Sequence, residues 1–189
     1  MHLIKPSTLP AFNTSSQEKT CWERDENSNC YSYSLNNMKI KAVSIGCLTR
    51  PLNLNIRNLW TSPDGLYECM QHDGLCFVPK HAINENMHLI AVFGIENSYD
   101  IPNFHTLRFD GCGTFSAKIG YGIKPVYTGT EIGRKVPMTL DNIIEEMEYH
   151  TFSSQKLIWG GFWQIPSKGI LVSGDDVELE NKKPNALAL

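Results

Sequence analysis

Three residues in this chain have the types and spacing for acyl-transfer chemistry. Cys30 follows Ser28-Asn29 at what reads as a helix start. His88 opens the apolar run Met87-His88-Leu89-Ile90-Ala91-Val92, and His105 sits in Phe104-His105-Thr106-Leu107. An ordinary thiol has a pKa of about 8.5 and is mostly protonated at neutral pH. A helix N-terminus and a neighbouring imidazolium together pull it down to ~3.5–7.5. Cys30 would sit among the unsatisfied N–H groups of a helix start, and its own N–H would serve as an oxyanion donor. A histidine on a facing strand would act first as base and then as acid for the leaving group. A third polar group would orient that histidine through its other ring nitrogen. His105 is the first choice for that role and Asp110 its rival. On a regular strand these two face opposite ways, so only one can point at His88. Arg108 shares Asp110's face, and a plain Arg108–Asp110 contact is the structural alternative.

These residues need elements to hold them. Cys30 to Lys39 reads as a helix capped by Ser28 or Asn29, with Tyr31, Leu35 and Met38 at helical spacing. Ser62-Pro63-Asp64 opens a second helix with Leu66, Tyr67 and Met70 on one side, and Gly74 closes it. Strands are then expected at Leu75–Val78, Met87–Ile95, Phe104–Asp110, Gly113–Gly120 and Leu157–Ile165. Asp110-Gly111 marks a turn, and Gly160-Gly161 inside the last strand marks a bulge or a close backbone approach. One more helix is expected from Thr139 to Tyr149. A turn at Glu96-Asn97-Ser98 would set His88 opposite His105. The order is helix first, then a meander of strands with one inserted helix: an α+β layout on a mostly antiparallel sheet. Residues 1–20 read as a flexible lead-in, 21–172 as the domain, and 173–189 as a disordered tail.

The residues around Cys30 and His88 also resemble a known family. Asn29-Cys30-Tyr31-Ser32-Tyr33 looks like the Asp-Cys-Ser-Gly-Phe helix start of NlpC-type cysteine peptidases. His88-Leu89-Ile90-Ala91-Val92-Phe93-Gly94 resembles their His-Val-Gly-Ile-Tyr strand. Gly74-Leu75-Cys76-Phe77-Val78 lies where that family has Gly-Asp-Leu-Val-Phe. The resemblance covers about residues 21–120. It implies a papain-like fold with the cysteine helix packed on the sheet, and a third catalytic position that is often histidine, which supports His105. Asn29 in place of Asp, and Tyr31 in place of a small residue, depart from the pattern. They put a cell-wall peptide amide in doubt as the substrate more than they do the cysteine chemistry.

Other residues read as structural. Cys21, Cys47, Cys69, Cys76 and Cys112 have no such context, and most cysteines are buried and inert. Zinc is disfavoured because no C-x-x-C pair occurs. His72 reads as an ordinary helix-terminal histidine. Trp159, Phe162 and Trp163 read as core packing before cleft lining. The 189 residues carry a net charge of −3, which gives no basic surface for nucleic acid. The longest apolar stretch, Leu89–Phe93, is far short of the ~20 residues of a membrane span, and the N-terminus lacks a secretory pattern. Synthesis in the cytoplasm is expected, with export by a signal-less route left open.

The expectation is a monomeric cysteine hydrolase with a Cys30-His88-His105 triad. Asn29, Trp22 and Tyr31 would line the oxyanion or cleft side, and no metal or organic cofactor is needed. The substrate would be a peptidoglycan peptide or a target protein, as for a delivered bacterial effector or toxin. A deamidase or transglutaminase-like activity stays open. So does a non-catalytic binding module on the same scaffold. Geometry separates them: a Cys30 sulfur near a His88 ring nitrogen in an open groove marks an enzyme. A sealed Cys30 with His88 turned elsewhere marks a binding module.

Overall fold

The asparagine before Cys30 fixes where the first functional element begins. In the computed structural model, Asn29 is extended, and its side-chain oxygen accepts from the Tyr31 and Ser32 amides at 3.1 and 3.0 Å. The Ser32 hydroxyl accepts from the Asn29 N–H at 2.8 Å, completing a reciprocal cap. The structure describes residues 2–7, 16–50, 55–84, 86–96, 103–111, 114–118, 120–123, 126–128, 151–152 and 155–172. The expected helix over 139–149 and the tail from 173 lie outside the described residues.

In chain order the elements are β1 (His2–Ile4), α1 (Ser16–Arg24), α2 (Cys30–Ser34), α3 (Ile56–Leu59) and α4 (Pro63–His72). Strands follow as β2 (Cys76–Val78), β3 (Leu89–Glu96), β4 (Asn103–Gly111), β5 (Thr114–Lys118), β6 (Val126–Thr128), β7 (Thr151–Phe152), β8 (Gln155–Gln164) and β9 (Ile170–Val172). The fold class is α+β. The main sheet is antiparallel in the order β2-β8-β3-β4-β5-β6, with β7 also on β8.

Two expectations about extent are corrected. The helix starting at Cys30 stops at Ser34 instead of running to Lys39, because Leu35 caps it and Asn36 turns into the left-handed region at φ 54°. Residues 2–4 are not a loose lead-in. They pair with β9, and Ile4 is buried in the core. The helix after Ser62 forms as read: Ser62 accepts from the Gly65 amide, Leu66 and Met70 turn inward, and Gly74 ends it at φ 84°. Tyr67 is the exception, staying 39% exposed.

The sheet separates two apolar cores. Ile90, Val92, Ile158 and Trp163 face the helices, packing with Tyr31, Leu35, Leu66 and Met70. Leu89, Ala91, Phe93, Leu107, Phe109 and Phe115 form the core of the other face. Period-2 alternation along β3 and β4 produces this division. The bulge read from Gly160-Gly161 is present: the β3–β8 register shifts between Val92 and Phe93. Gly161 sits there at φ 91°, and a Cβ on it would meet the Phe77 ring at 2.7 Å.

Candidate functional site

Helix α2 lies on β4 and presents Cys30 to Thr106, not to a histidine. Cys30 is 4% exposed. Burial pushes its thiol up, outweighing hydrogen bonds from the Thr106 backbone and hydroxyl and from the Tyr31 and Cys30 amides. One turn on, the Ser34 hydroxyl lies 2.8 Å from the Cys30 carbonyl and 3.0 Å from the Thr106 hydroxyl. The thiol therefore sits in a closed knot of small polar groups.

His88 lies on the same face of the sheet as α2, but at the far end of that helix. Its Nε2 is 2.7 Å from the Ser34 carbonyl oxygen, and its Nδ1 is 3.1 Å from the Ser7 backbone nitrogen. A carbonyl only accepts and an amide N–H only donates, so Nε2 carries the proton and Nδ1 is the acceptor. Both ring nitrogens are thus committed to backbone groups, leaving none for a thiol. Burial lowers the His88 pKa to about 4, with Arg108 adding to the fall and the Ser34 bond opposing it.

His105 is on the other side of the sheet. Its neighbours Phe104 and Thr106 face the helices, Phe104 touching the Tyr31 and Trp60 rings and Thr106 touching α2. His105 pairs across the strands with Phe93, in the opposite core. Phe93 is five positions along β3 from His88, about 16 Å at roughly 3.3 Å per residue. The expected turn at 96–97 is the source of the error: Ile95 pairs with Asn103, which centres the connection on residue 99. Burial alone lowers the His105 pKa to about 4.

The same register carries Asp110, the alternative third residue, across from His88. Ile90 pairs with Arg108, and two residues further along each strand are 88 and 110. Asp110 is nonetheless taken by Arg108, whose Nε donates to it at 2.9 Å, and the Arg108 guanidinium covers the Tyr33 ring at 4.1 Å. The structural alternative for this pair is the one observed.

The three residues expected to line a cleft have other tasks. Asn29 caps α2 and donates its amide to the Val43 carbonyl at 2.9 Å. As the cap it satisfies the Tyr31 and Ser32 N–H groups at the helix start. Tyr31 is wholly buried, and its hydroxyl donates to Asp73 at 2.8 Å. Trp22 packs edge-on against Tyr33 at 5.1 Å. The triad is not assembled.

No family model, curated protein or solved structure matches the chain.

Two buried charged groups were missed in the sequence. Asp73, read only as part of a helix end, is fully buried and accepts from the Gly46 and Leu48 amides at 2.6 and 2.7 Å as well as from Tyr31. It ties the 46–48 loop to α4 and α2. Burial lifts its carboxyl to about 7 against the pull of those donors. Lys118 is buried on β5, and its ammonium donates to the Trp22 and Asp25 carbonyls at 2.7 Å and the Ser28 hydroxyl at 2.6 Å. It staples the end of α1 and the approach to α2 onto the sheet. An aspartate before a glycine and a lysine in an alternating strand carry no sequence signal of burial. Among the described residues, no group of three His, Cys, Asp or Glu could hold a metal ion, and no helix is long and apolar enough to cross a membrane.

Proposed function

We propose that this chain is a non-catalytic binding domain for a protein or peptide, on a scaffold of papain-like design. The scaffold reading draws on α2, which begins at Cys30 and packs on the antiparallel sheet, as the NlpC resemblance implies. The observation that carries the non-catalytic reading is the pair of backbone contacts that occupy both His88 ring nitrogens, Nε2 to the Ser34 carbonyl and Nδ1 to the Ser7 amide. With Nε2–H on Ser34 and Nδ1 under the Ser7 amide, the imidazole cannot take a proton from Cys30. Thr106 occupies the place facing the thiol, and a hydroxyl there is no general base at neutral pH.

A peptide partner finds its most suitable surface at the sheet edge. Strand β2 pairs only with β8 among the described residues. Phe77 is 45% exposed on it, beside Tyr67 and over Trp163, with ring centroids 5.0–5.7 Å apart. An open strand edge with exposed aromatics suits an extended peptide that adds a strand and seats a side chain between the rings.

A second reading, the cysteine hydrolase, has one observation in its favour. Every hydrogen bond at the Cys30 sulfur lowers its pKa; only burial raises it. Opening that corner to water would remove the one effect that raises the pKa and so favour the thiolate. Incubation with isolated cell-wall sacculi and with host-cell lysate separates the readings. The binding domain yields no product that depends on Cys30. Cleaved or deamidated products that disappear in Cys30→Ala would overturn it.

A further inference from the structure

The chain segment leading out of β1 crosses the end of α2 and is fastened there by two contacts. The Ser7 N–H donates to His88 Nδ1 at 3.1 Å, and the Asn36 side-chain amide donates to the Ser7 hydroxyl at 2.7 Å. Ile4, three residues earlier, is 1% exposed in the helix-side core, and β1 is paired to β9. The segment is therefore anchored behind Ile4 and held at Ser7 by a titratable ring. From this geometry we propose that His88 and Ser7 form an acid-released latch: uptake of a proton at Nδ1 ejects the Ser7 N–H and frees the segment at residues 5–7, while β1 stays paired.

The chemistry is a matter of donors and acceptors. Neutral His88 has one acceptor, Nδ1, and the Ser7 amide uses it. In the imidazolium both nitrogens are donors. Nε2–H keeps the Ser34 carbonyl, but Nδ1–H then points at the Ser7 N–H, and two donors cannot bond. The Ser7 amide must turn to water. The Asn36–Ser7 contact is part-buried, but one hydrogen bond alone is too weak to hold the segment.

The charges around the ring decide whether the latch trips. From β4, Arg108 faces His88 and opposes its protonation, and Asp110 is already engaged by that arginine. From α2 only the Ser34 carbonyl reaches the ring. On the latched segment, Lys5 is exposed. Among the described residues the acidic group set across from the ring, Asp110, is paired with Arg108, so the cation is relieved by movement of the segment toward water. With the His88 pKa lowered to about 4, the open form is populated as pH falls through that value.

The test is residue-resolved amide exchange of the full chain from pH 7 to pH 3.5, expressed as protection relative to the unfolded peptide, with the His88 ring followed in the same samples. Ser7 protection is expected to fall by about two- to tenfold, the equivalent of one net hydrogen bond, with a midpoint that tracks the His88 titration. Amides of β3 and β4 keep theirs. His88→Gln places a non-titrating oxygen and N–H in the ring's position and is expected to abolish the pH dependence. Ser7→Pro deletes the N–H and is expected to raise the His88 pKa toward its ordinary value. Ser7 protection unchanged through the His88 titration would overturn the latch. So would a Ser7→Pro protein in which the His88 pKa stays where it is.

Discussion

The chemistry of Cys30 is decided by what surrounds its sulfur and not by where it sits in the helix. A helix start can activate a thiol, but here the amides that would do so are shared with the Asn29 side chain, and water is excluded. The first expectation at this scale concerns Asn29→Ala. It removes the cap and strands the Val43 carbonyl, so the protein should lose about 1–3 kcal/mol in denaturant unfolding. Lys118→Met tests the second buried charge. The methionine fills the space but leaves two carbonyls and a hydroxyl without their donor, so a loss of about 2–4 kcal/mol is expected. A variant as stable as the parent would mean water replaces the ammonium.

The elements show which parts of the sequence were legible. Helix starts at Ser28-Asn29-Cys30 and Ser62-Pro63 were readable because caps are local chemistry. So were the alternating strand of residues 104–110 and the bulge glycines. Register was not readable, because it depends on the length of a connection, and a shift of two or three residues there separated His88 from His105. Facing was partly readable: alternation already placed His105 and Asp110 on opposite sides, but not which side α2 would cover. The early end of α2 at Ser34 was hidden because Leu35 and Met38 continue a helical spacing that Asn36 interrupts with its backbone. At this scale, Gly161→Ala is the sharpest substitution. It forces a side chain onto φ 91° and into the Phe77 ring, and should cost about 1–3 kcal/mol while loosening the β2 edge. Hydrogen exchange should show faster opening of β2 than of β3.

At the scale of the whole molecule, the buried histidines make stability depend on pH. The His88 pKa is depressed from 6.5 to about 4 in the fold. Below 6.5 the unfolded chain takes up a proton that the folded chain refuses, so stability is fully present above that value and is lost as pH falls toward 4. At 1.36 kcal/mol per unit, His88 accounts for about 3 kcal/mol across that window. His105 acts in the same direction. Asp73 acts the other way: its carboxyl is raised to about 7, so its contribution weakens as pH rises from about 4 to 7. Urea unfolding between pH 7 and pH 4 should therefore show a steeper acid loss in the parent than in His88→Gln. Equal slopes would mean that the ring is not buried as a neutral acceptor.

Whether the molecule binds or cleaves turns on the state of the Cys30 thiol in the native protein. Site-resolved alkylation by iodoacetamide, followed by peptide mass analysis from pH 6 to pH 10, measures that state directly. The exposed Cys21 and Cys76 should react first. Cys30 should lag them at every pH and show no thiolate plateau below pH 9. A Cys30 that is alkylated fastest of all at pH 6–7, with its rate lost in His88→Gln, would contradict the closed, non-catalytic site and restore the Cys30–His88 pair as a working dyad.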